Sequence, residues 1–188
     1  MKKAVILHGT QGSPEGNWFR WLEAELQNRG LEVWLPQLPH AQQPSLSEWL
    51  GYIKDNSPFE LDEDTLIIGH SSGAILALLI SQKGSATLGE VVCVSVFHDN
   101  ALGWDANAKL FDVEFNWDSI RAHVERQIVC IHSDDDPYVP LDQAQFVANN
   151  IGAEMIVIQN QGHFNLEKSK TYHEFPVLLS LLEERRLV

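Results

Sequence analysis

A chain of 188 residues, 44% hydrophobic and 21% charged, is long enough for one domain with a full core and no disulfide or metal staples. Its 26 acidic residues against 13 basic ones, a net charge of -13, argue against nucleic acid or an anionic membrane as a partner. No apolar stretch approaches the roughly 20 residues of a membrane span. The amino terminus MKKAVILHG has too short an apolar run for a signal peptide, and Cys93 and Cys130 each lie inside an apolar run, as buried free thiols do. A reducing cytoplasm is the expected compartment, and neither a cofactor nor a metal is expected.

Lys3 to Leu7 reads as a buried strand, followed by the turn-forming loop His8-Gly9-Thr10-Gln11-Gly12-Ser13-Pro14. Asn17 is placed to cap a helix over Trp18 to Arg29, with Trp18, Leu22 and Leu26 on one face and Gly30 as its stop. Leu31 to Leu35 is the next strand, ended by Pro36 and Pro39. Ser45-x-x-Glu48 is a capping box, and Leu46, Trp49, Leu50 and Ile53 follow at the spacing of an amphipathic helix. A loop from Asp55 to Asp64 leads to a short apolar run at Leu66 to Ile68, then Gly69-His70-Ser71-Ser72-Gly73, then an apolar run of helix formers from Ala74 to Ile80.

Beyond it, Gly84 to Gly89 reads as a turn and Glu90 to Phe97 as a strand ending at His98-Asp99. Residues 99–117 show no clean period yet hold Trp104, Phe111, Phe115 and Trp117; the expectation is a loop over the sheet edge rather than a lid. Trp117 to Val124 suits a short helix, and Gln127 to His132 a strand running into Ser133-Asp134-Asp135-Asp136-Pro137-Tyr138-Val139-Pro140. Pro140 fits the first turn of a helix with Ala144, Val147, Ala148 and Ile151 inside and Gly152 at its end. Glu154 to Ile158 is the last strand, and Pro176 starts a terminal helix carrying Val177, Leu178, Leu181 and Leu182.

Six strands separated by helices predict an α/β fold: three αβα layers around a mostly parallel six-stranded sheet, as a single domain over residues 1–188. In such sheets ligands bind outside the carboxyl ends of the strands. The polar clusters at His8-Gly9-Thr10, Ser71, His98, Asp134 to Asp136 and His163 all follow strands, so they converge on one edge.

Gly69-His70-Ser71-Ser72-Gly73 between a strand and a helix is the pattern of a G-x-S-x-G nucleophile elbow. Alone the motif occurs by chance in roughly one chain in twenty of this length; its strand and its all-apolar helix make it specific. Ser71 is the candidate nucleophile. A serine hydroxyl needs an imidazole base, which needs a carboxylate to hold its tautomer. The order Ser71, Asp136, His163 supplies both. Asp136 is preferred among three aspartates because Pro137 fixes the backbone beyond it, leaving Asp134 and Asp135 as solvated bystanders. A divalent cation on the aspartate run is the lesser alternative. The oxyanion donors are expected to be the main-chain N–H groups of Thr10 and Ser72. His8 reads as a loop brace, His70 as a spacer, His132 and His98 as rival bases. Trp18, Phe97, His98, Trp104 and Phe164 are candidate pocket walls.

The HGTQGS loop, the N-W-F-x-W-L helix start, the GHSSGA elbow, the DDPYVP turn and the GHF histidine together resemble the small serine hydrolase family that includes retinoblastoma-binding protein nine and the bacterial YdeN proteins. The resemblance spans nearly the whole chain. It implies a minimal α/β-hydrolase fold without a large cap, a triad on Ser71, Asp136 and His163, and small ester, amide or short peptide substrates, with aminopeptidase-like activity known in the family. The chain has no Leu-x-Cys-x-Glu sequence, so the pocket-protein binding behind the family member's name does not carry over, and no protein partner is assigned. The competing class is a non-catalytic binding or scaffold module on the same fold.

Overall fold

The structure is a computed structural model that describes residues 1–83, 87–99 and 110–188. Strands β1 (Lys3–Leu7), β2 (Glu32–Trp34), β3 (Thr65–His70), β4 (Leu88–Val94), β5 (Val124–Ser133) and β6 (Glu154–Ile158) form one sheet in the order β2-β1-β3-β4-β5-β6. Every neighbouring pair is parallel. The helices are α1 (Phe19–Asn28), α2 (Leu46–Asn56), α3 (Ser72–Lys83), α4 (Trp117–Ala122), α5 (Leu141–Ile151) and α6 (Pro176–Glu184), with a 3-10 turn at Lys170–His173.

A parallel sheet needs cover on both faces, and the alternation along its strands supplies two apolar faces. Val5, Leu7, Ile67, Val91 and Cys93 pack in one cluster with Trp49 and Ile53 of α2, all of the apolar residues of α3, and Val147 and Ile151 of α5. Ala4, Ile6, Ile68, Val92 and Val129 pack in the other with Leu22 and Leu26 of α1 and Leu178 and Leu182 of α6. The strand order reverses at β1, where the chain first steps out to β2 and then returns to β3 on the other side. The ends of β1 and β3 thus flank the crevice where α/β proteins bind ligands.

α3 is buried on every side from Ser72 to Ser81, as its unbroken apolar sequence demands. Such burial requires its first turn to touch main chain directly. A Cβ on Gly73 would lie 2.6 Å from the carbonyl oxygen of His8 and closer still to that of Leu7; one on Gly69 would lie 2.5 Å from Cα of Ala74. No side chain fits either place, so the two glycines of the motif are steric necessities of the β3–α3 turn.

The expected strands and helices are present among the described residues, but the turn expected over Gly84 to Gly89 lies partly outside them, and β5 starts at Val124, the residue expected to end the α4 helix, instead of at Gln127. Asn17 does not cap α1: Trp18 takes the cap position without a side-chain bond, while Asn17 Oδ1 accepts from the N–H of Leu166 at 3.1 Å. β4 starts at Leu88 and ends at Val94, short of Phe97, because Ser95 turns the chain with φ 54°. α6 buries Leu178, Leu179 and Leu182, and leaves Val177 half-exposed. Ser45 does cap α2, accepting from Glu48 N–H at 3.2 Å. Cys93 and Cys130 are free, fully buried and register partners on β4 and β5.

Gly73→Ala is expected to destabilise the protein by about 3 kcal/mol or more, since it overpacks main chain against main chain. Gly51→Ala, in the exposed middle of α2 with nothing within 4 Å of its Cβ position, should stabilise by about 0.5 to 1 kcal/mol. Urea unfolding of the two variants measures both, and equal stabilities would contradict the packing described.

Candidate active site

Ser71 is the one residue between β3 and α3, and its φ of 57° lies in the left-handed region that serine rarely occupies. The strain is held from both sides. Its N–H donates to Val94 O at 2.8 Å, and its carbonyl accepts from Ala74 N–H at 2.9 Å. Ser72 then opens α3, where the first N–H groups of a helix have no intrahelical acceptor.

Four consecutive residues at the end of β5 carry the loop beyond β6. Ser133 Oγ accepts from Gln161 N–H at 2.8 Å, Asp134 Oδ1 from Asn160 N–H at 2.8 Å, and Asp135 Oδ1 from Gly162 N–H at 2.6 Å. His163 then donates from Nδ1 to Asp136 Oδ2 at 2.7 Å. Asp134 and Asp135 are therefore not bystanders. They fix the loop that presents His163, and Asp135 also pairs with Lys168, which together with Gly162 N–H and Ser133 holds its carboxyl well below the usual carboxylate range. The three aspartates point at different sets of partners. Among the described residues no cluster of three or more metal-ligating side chains is found.

The opposite side of the loop is braced as well. His70 Nε2–H donates to the carbonyl of His163 at 2.8 Å and Trp18 Nε1–H to that of Phe164 at 3.0 Å. The His163 ring lies against His70 at 4.7 Å and Tyr138 at 5.2 Å between centroids.

Asp136 is the hub. Oδ1 accepts from the N–H groups of Tyr138 at 2.9 Å and Val139 at 3.0 Å, and Oδ2 from His163 and from Ser95 Oγ at 2.9 Å. Burial is the largest influence on this carboxyl and pushes it up, but the bonds and charge of His163 and the two main-chain donors outweigh it and hold Asp136 below its ordinary value. An ionised Asp136 takes the Nδ1 proton of His163 as a hydrogen bond, which leaves the lone pair on Nε2. Among the described residues neither Ser71 Oγ nor His163 Nε2 has a protein hydrogen-bond partner.

The expected oxyanion donor Thr10 N–H is engaged: it donates to Ser72 Oγ at 2.6 Å, and the Thr10 and Ser72 hydroxyls lie 2.9 Å apart. His8 braces the same loop, with Nε2 accepting from Leu38 N–H at 3.0 Å, so the ring is neutral. Of the rival bases, His132 is fully buried, donates Nε2–H to Val139 O at 2.9 Å and leaves Nδ1 without a partner. His98 packs against Phe146 at 4.1 Å, and its main-chain N–H is bonded to Gln143.

Trp18 and Phe164, read from the sequence as pocket walls, have no exposed surface. They stack with Phe175 inside the core, so they support the histidine loop instead of lining a pocket. Phe97 is nearly buried, edge-on to Phe111. Trp104 lies outside the described residues, as does most of the stretch weighed as loop or lid. A groove of about 1450 Å³ opens at the far end of α3, lined by Leu50, Phe59, Leu61, Phe115 and Trp117 among others. It shares no residue with the cluster around Ser71.

Residues 4–184 match the family model described as serine hydrolase. The chain belongs to the serine hydrolase family. It is 28% identical to YdeN of Bacillus subtilis (strain 168) over 183 residues, covering 96% of this chain and 94% of that one. It is 29% identical to the serine hydrolase RBBP9 of Rattus norvegicus over 178 residues, 92% and 90% of the two chains. The crystal structure of the B. subtilis ydeN gene product superimposes over 100% of both chains with a TM-score of 0.87 at 24% identity. Mouse alpha/beta hydrolase domain-containing protein 10 shares the fold more distantly, with a TM-score of 0.67 at 13% identity over 97% of this chain and 88% of that one. The six-stranded parallel sheet is thus an α/β-hydrolase fold, and the chain is a hydrolase by family.

In this serine hydrolase burial works against the protonation of three histidines. Burial pushes the His70 ring down from 6.5 to about 3, helped by the neighbouring His163, and burial also lowers His8 and His132. The unfolded chain takes up these protons as pH falls through about 6.5, before the folded protein does, so their contribution is complete above that pH and is lost progressively below it. Asp136, lowered on folding, adds to the loss at still lower pH. The melting temperature is expected to stay level above about pH 7 and to fall steadily from about pH 6.5 to 4. His70→Gln, which can donate to His163 but cannot titrate, should make the fall shallower. Thermal melts across this range give the answer, and a wild-type curve that stays level to about pH 4.5 would contradict the lowering of these rings by burial.

Proposed function

We propose that Ser71, His163 and Asp136 are the nucleophile, base and acid of a hydrolase that cleaves small ester, amide or short peptide bonds through an acyl-enzyme. The observation that carries the reading is the 2.7 Å bond from His163 Nδ1 to the buried Asp136 carboxylate, which points the lone pair of Nε2 away from the acid. On this reading Nε2 takes the Ser71 proton as Oγ attacks the substrate carbonyl, and returns it to the leaving alcohol or amine. Water then repeats the cycle on the acyl-serine, and Asp136 stabilises the imidazolium in both halves without itself taking a proton.

The tetrahedral oxyanion requires donors beside Ser71. Ser72 offers its main-chain N–H at the start of α3. The Thr10 N–H is spent on Ser72 Oγ, but the two hydroxyls share one hydrogen bond between two protons, so one proton of the pair remains available to a bound oxyanion. On this reading Thr10 serves the hole through this hydroxyl pair.

A fluorophosphonate probe should label Ser71, with labelling lost in Ser71→Ala and weakened in His163→Ala. Asp136→Asn, which favours the wrong tautomer of His163, should lower kcat on small esters by about a thousandfold or more. Intact-protein mass spectrometry and steady-state kinetics read these outcomes. A folded wild-type protein that takes no label would favour a non-catalytic binding role.

A further inference from the structure

Ser95 follows β4 directly, and the proposed chemistry makes no use of it. It is fully buried, and its φ of 54° places it, like Ser71 on the neighbouring strand end, in the left-handed region. Its N–H donates to Ile131 O at 2.9 Å on β5, while the carbonyl before it, that of Val94, accepts from Ser71 N–H at 2.8 Å. Ser95 thus stands between the strand that carries the nucleophile and the strand that carries the acid.

Its hydroxyl donates at 2.9 Å to Asp136 Oδ2, the same oxygen that receives the Nδ1 proton of His163 at 2.7 Å. Oδ1 is filled by the N–H groups of Tyr138 and Val139. A carboxylate oxygen offers two lone-pair directions. With Ser95 on one, His163 is confined to the other. We infer that Ser95 is a positioning residue of this hydrolase, which fixes the orientation of the His163 ring through Asp136 and touches no substrate. The inference rests on the reading of Ser71, His163 and Asp136 given above.

Among the described residues no neighbouring group substitutes for that hydroxyl. His132 Nε2 lies 3.9 Å from Asp136 Oδ2, but its proton goes to Val139 O. His70 faces His163 from β3 and donates to its carbonyl. Tyr138, against the other side of the ring, donates its hydroxyl to Glu167. A strained, buried serine is kept at a cost unless the conformation does something. Here it aims an O–H at the acid.

The hydroxyl also draws charge from Oδ2. Without it the carboxylate pulls harder on a protonated ring while holding that ring less well in direction. Ser95→Ala and Ser95→Gly, assayed with p-nitrophenyl acetate across the pH range, should both lower kcat by about tenfold with KM unchanged within about twofold, the worth of one hydrogen bond to a charged group. The acid limb of kcat/KM should move to higher pH by about half a unit in both. The glycine variant relieves the left-handed strain and so keeps the test valid where the alanine variant folds poorly. Equal effects in the two variants assign the role to the hydroxyl. Wild-type kcat and an unmoved acid limb in Ser95→Gly would overturn the inference and leave Ser95 a backbone residue only. A wild-type protein that neither hydrolyses the ester nor takes label at Ser71 would overturn the triad itself, and the inference with it, before any Ser95 variant is compared.

Discussion

The loop beyond β6 depends on the end of β5. β6 is an edge strand, half-exposed along most of its length, and a loop hung from such an edge has little apolar contact to hold it. Ser133, Asp134 and Asp135 take the main-chain N–H groups of residues 161, 160 and 162, and Asp136 takes the side chain of His163. At about 1 kcal/mol for each ordinary bond and more for those to a carboxylate, the set offsets the entropy of ordering a few loop residues. Trp18 and His70 close the loop from the other side through its carbonyls. The imidazole is thereby held by main-chain contacts on both flanks, so its direction follows from the strand order and not from its own rotamer alone.

The elbow is the second fixed point, and it is held by different physics. There the contacts are between main chains brought together at Gly69 and Gly73, and the force that closes them is the burial of α3 from Ser72 to Ser81. The apolar helix supplies stability that the left-handed Ser71 consumes locally. Ser71 and Ser95 end adjacent strands in the same conformation, each anchored by an N–H bond to the next strand over: Ser71 to β4 and Ser95 to β5. Strain of this kind persists only where the surroundings over-determine it.

Much of this was legible in the residues. Hydrophobic period gave six strands and their helices, and the position of polar clusters after strands gave the edge on which they meet, because both signals are local and repeated. The triad candidates stood out because each is a rare chemical type in a turn. What could not be read were roles set by distant partners. Asn17 has the chemistry of a helix cap and spends it on Leu166, 149 positions away. Asp134 and Asp135 look solvated until the loop from 160 to 162 is brought against them. Trp18 and Phe164 are aromatic residues near functional segments, and only burial shows that they face the core. Ser95 sits in an ordinary apolar strand pattern, and nothing local marks it as a partner of Asp136, 41 positions on. The Ser72 hydroxyl on Thr10 N–H is likewise a tertiary contact with no sequence signal beyond the Ser-Ser pair.

A strained serine, an imidazole held by a buried carboxylate and a hydroxyl pair beside a helix start make up the proposed reaction site. A crystal structure of the protein inactivated by a small alkyl phosphonate tests that union most directly. The account predicts phosphorus bonded to Ser71 Oγ, one phosphoryl oxygen among the donors of Thr10 and Ser72, and His163 Nε2 within hydrogen-bond reach of the adduct while Nδ1 stays on Asp136. An adduct on another residue, or one whose phosphoryl oxygen points away from residues 10 and 72 with the His163 ring turned from Asp136, would contradict it.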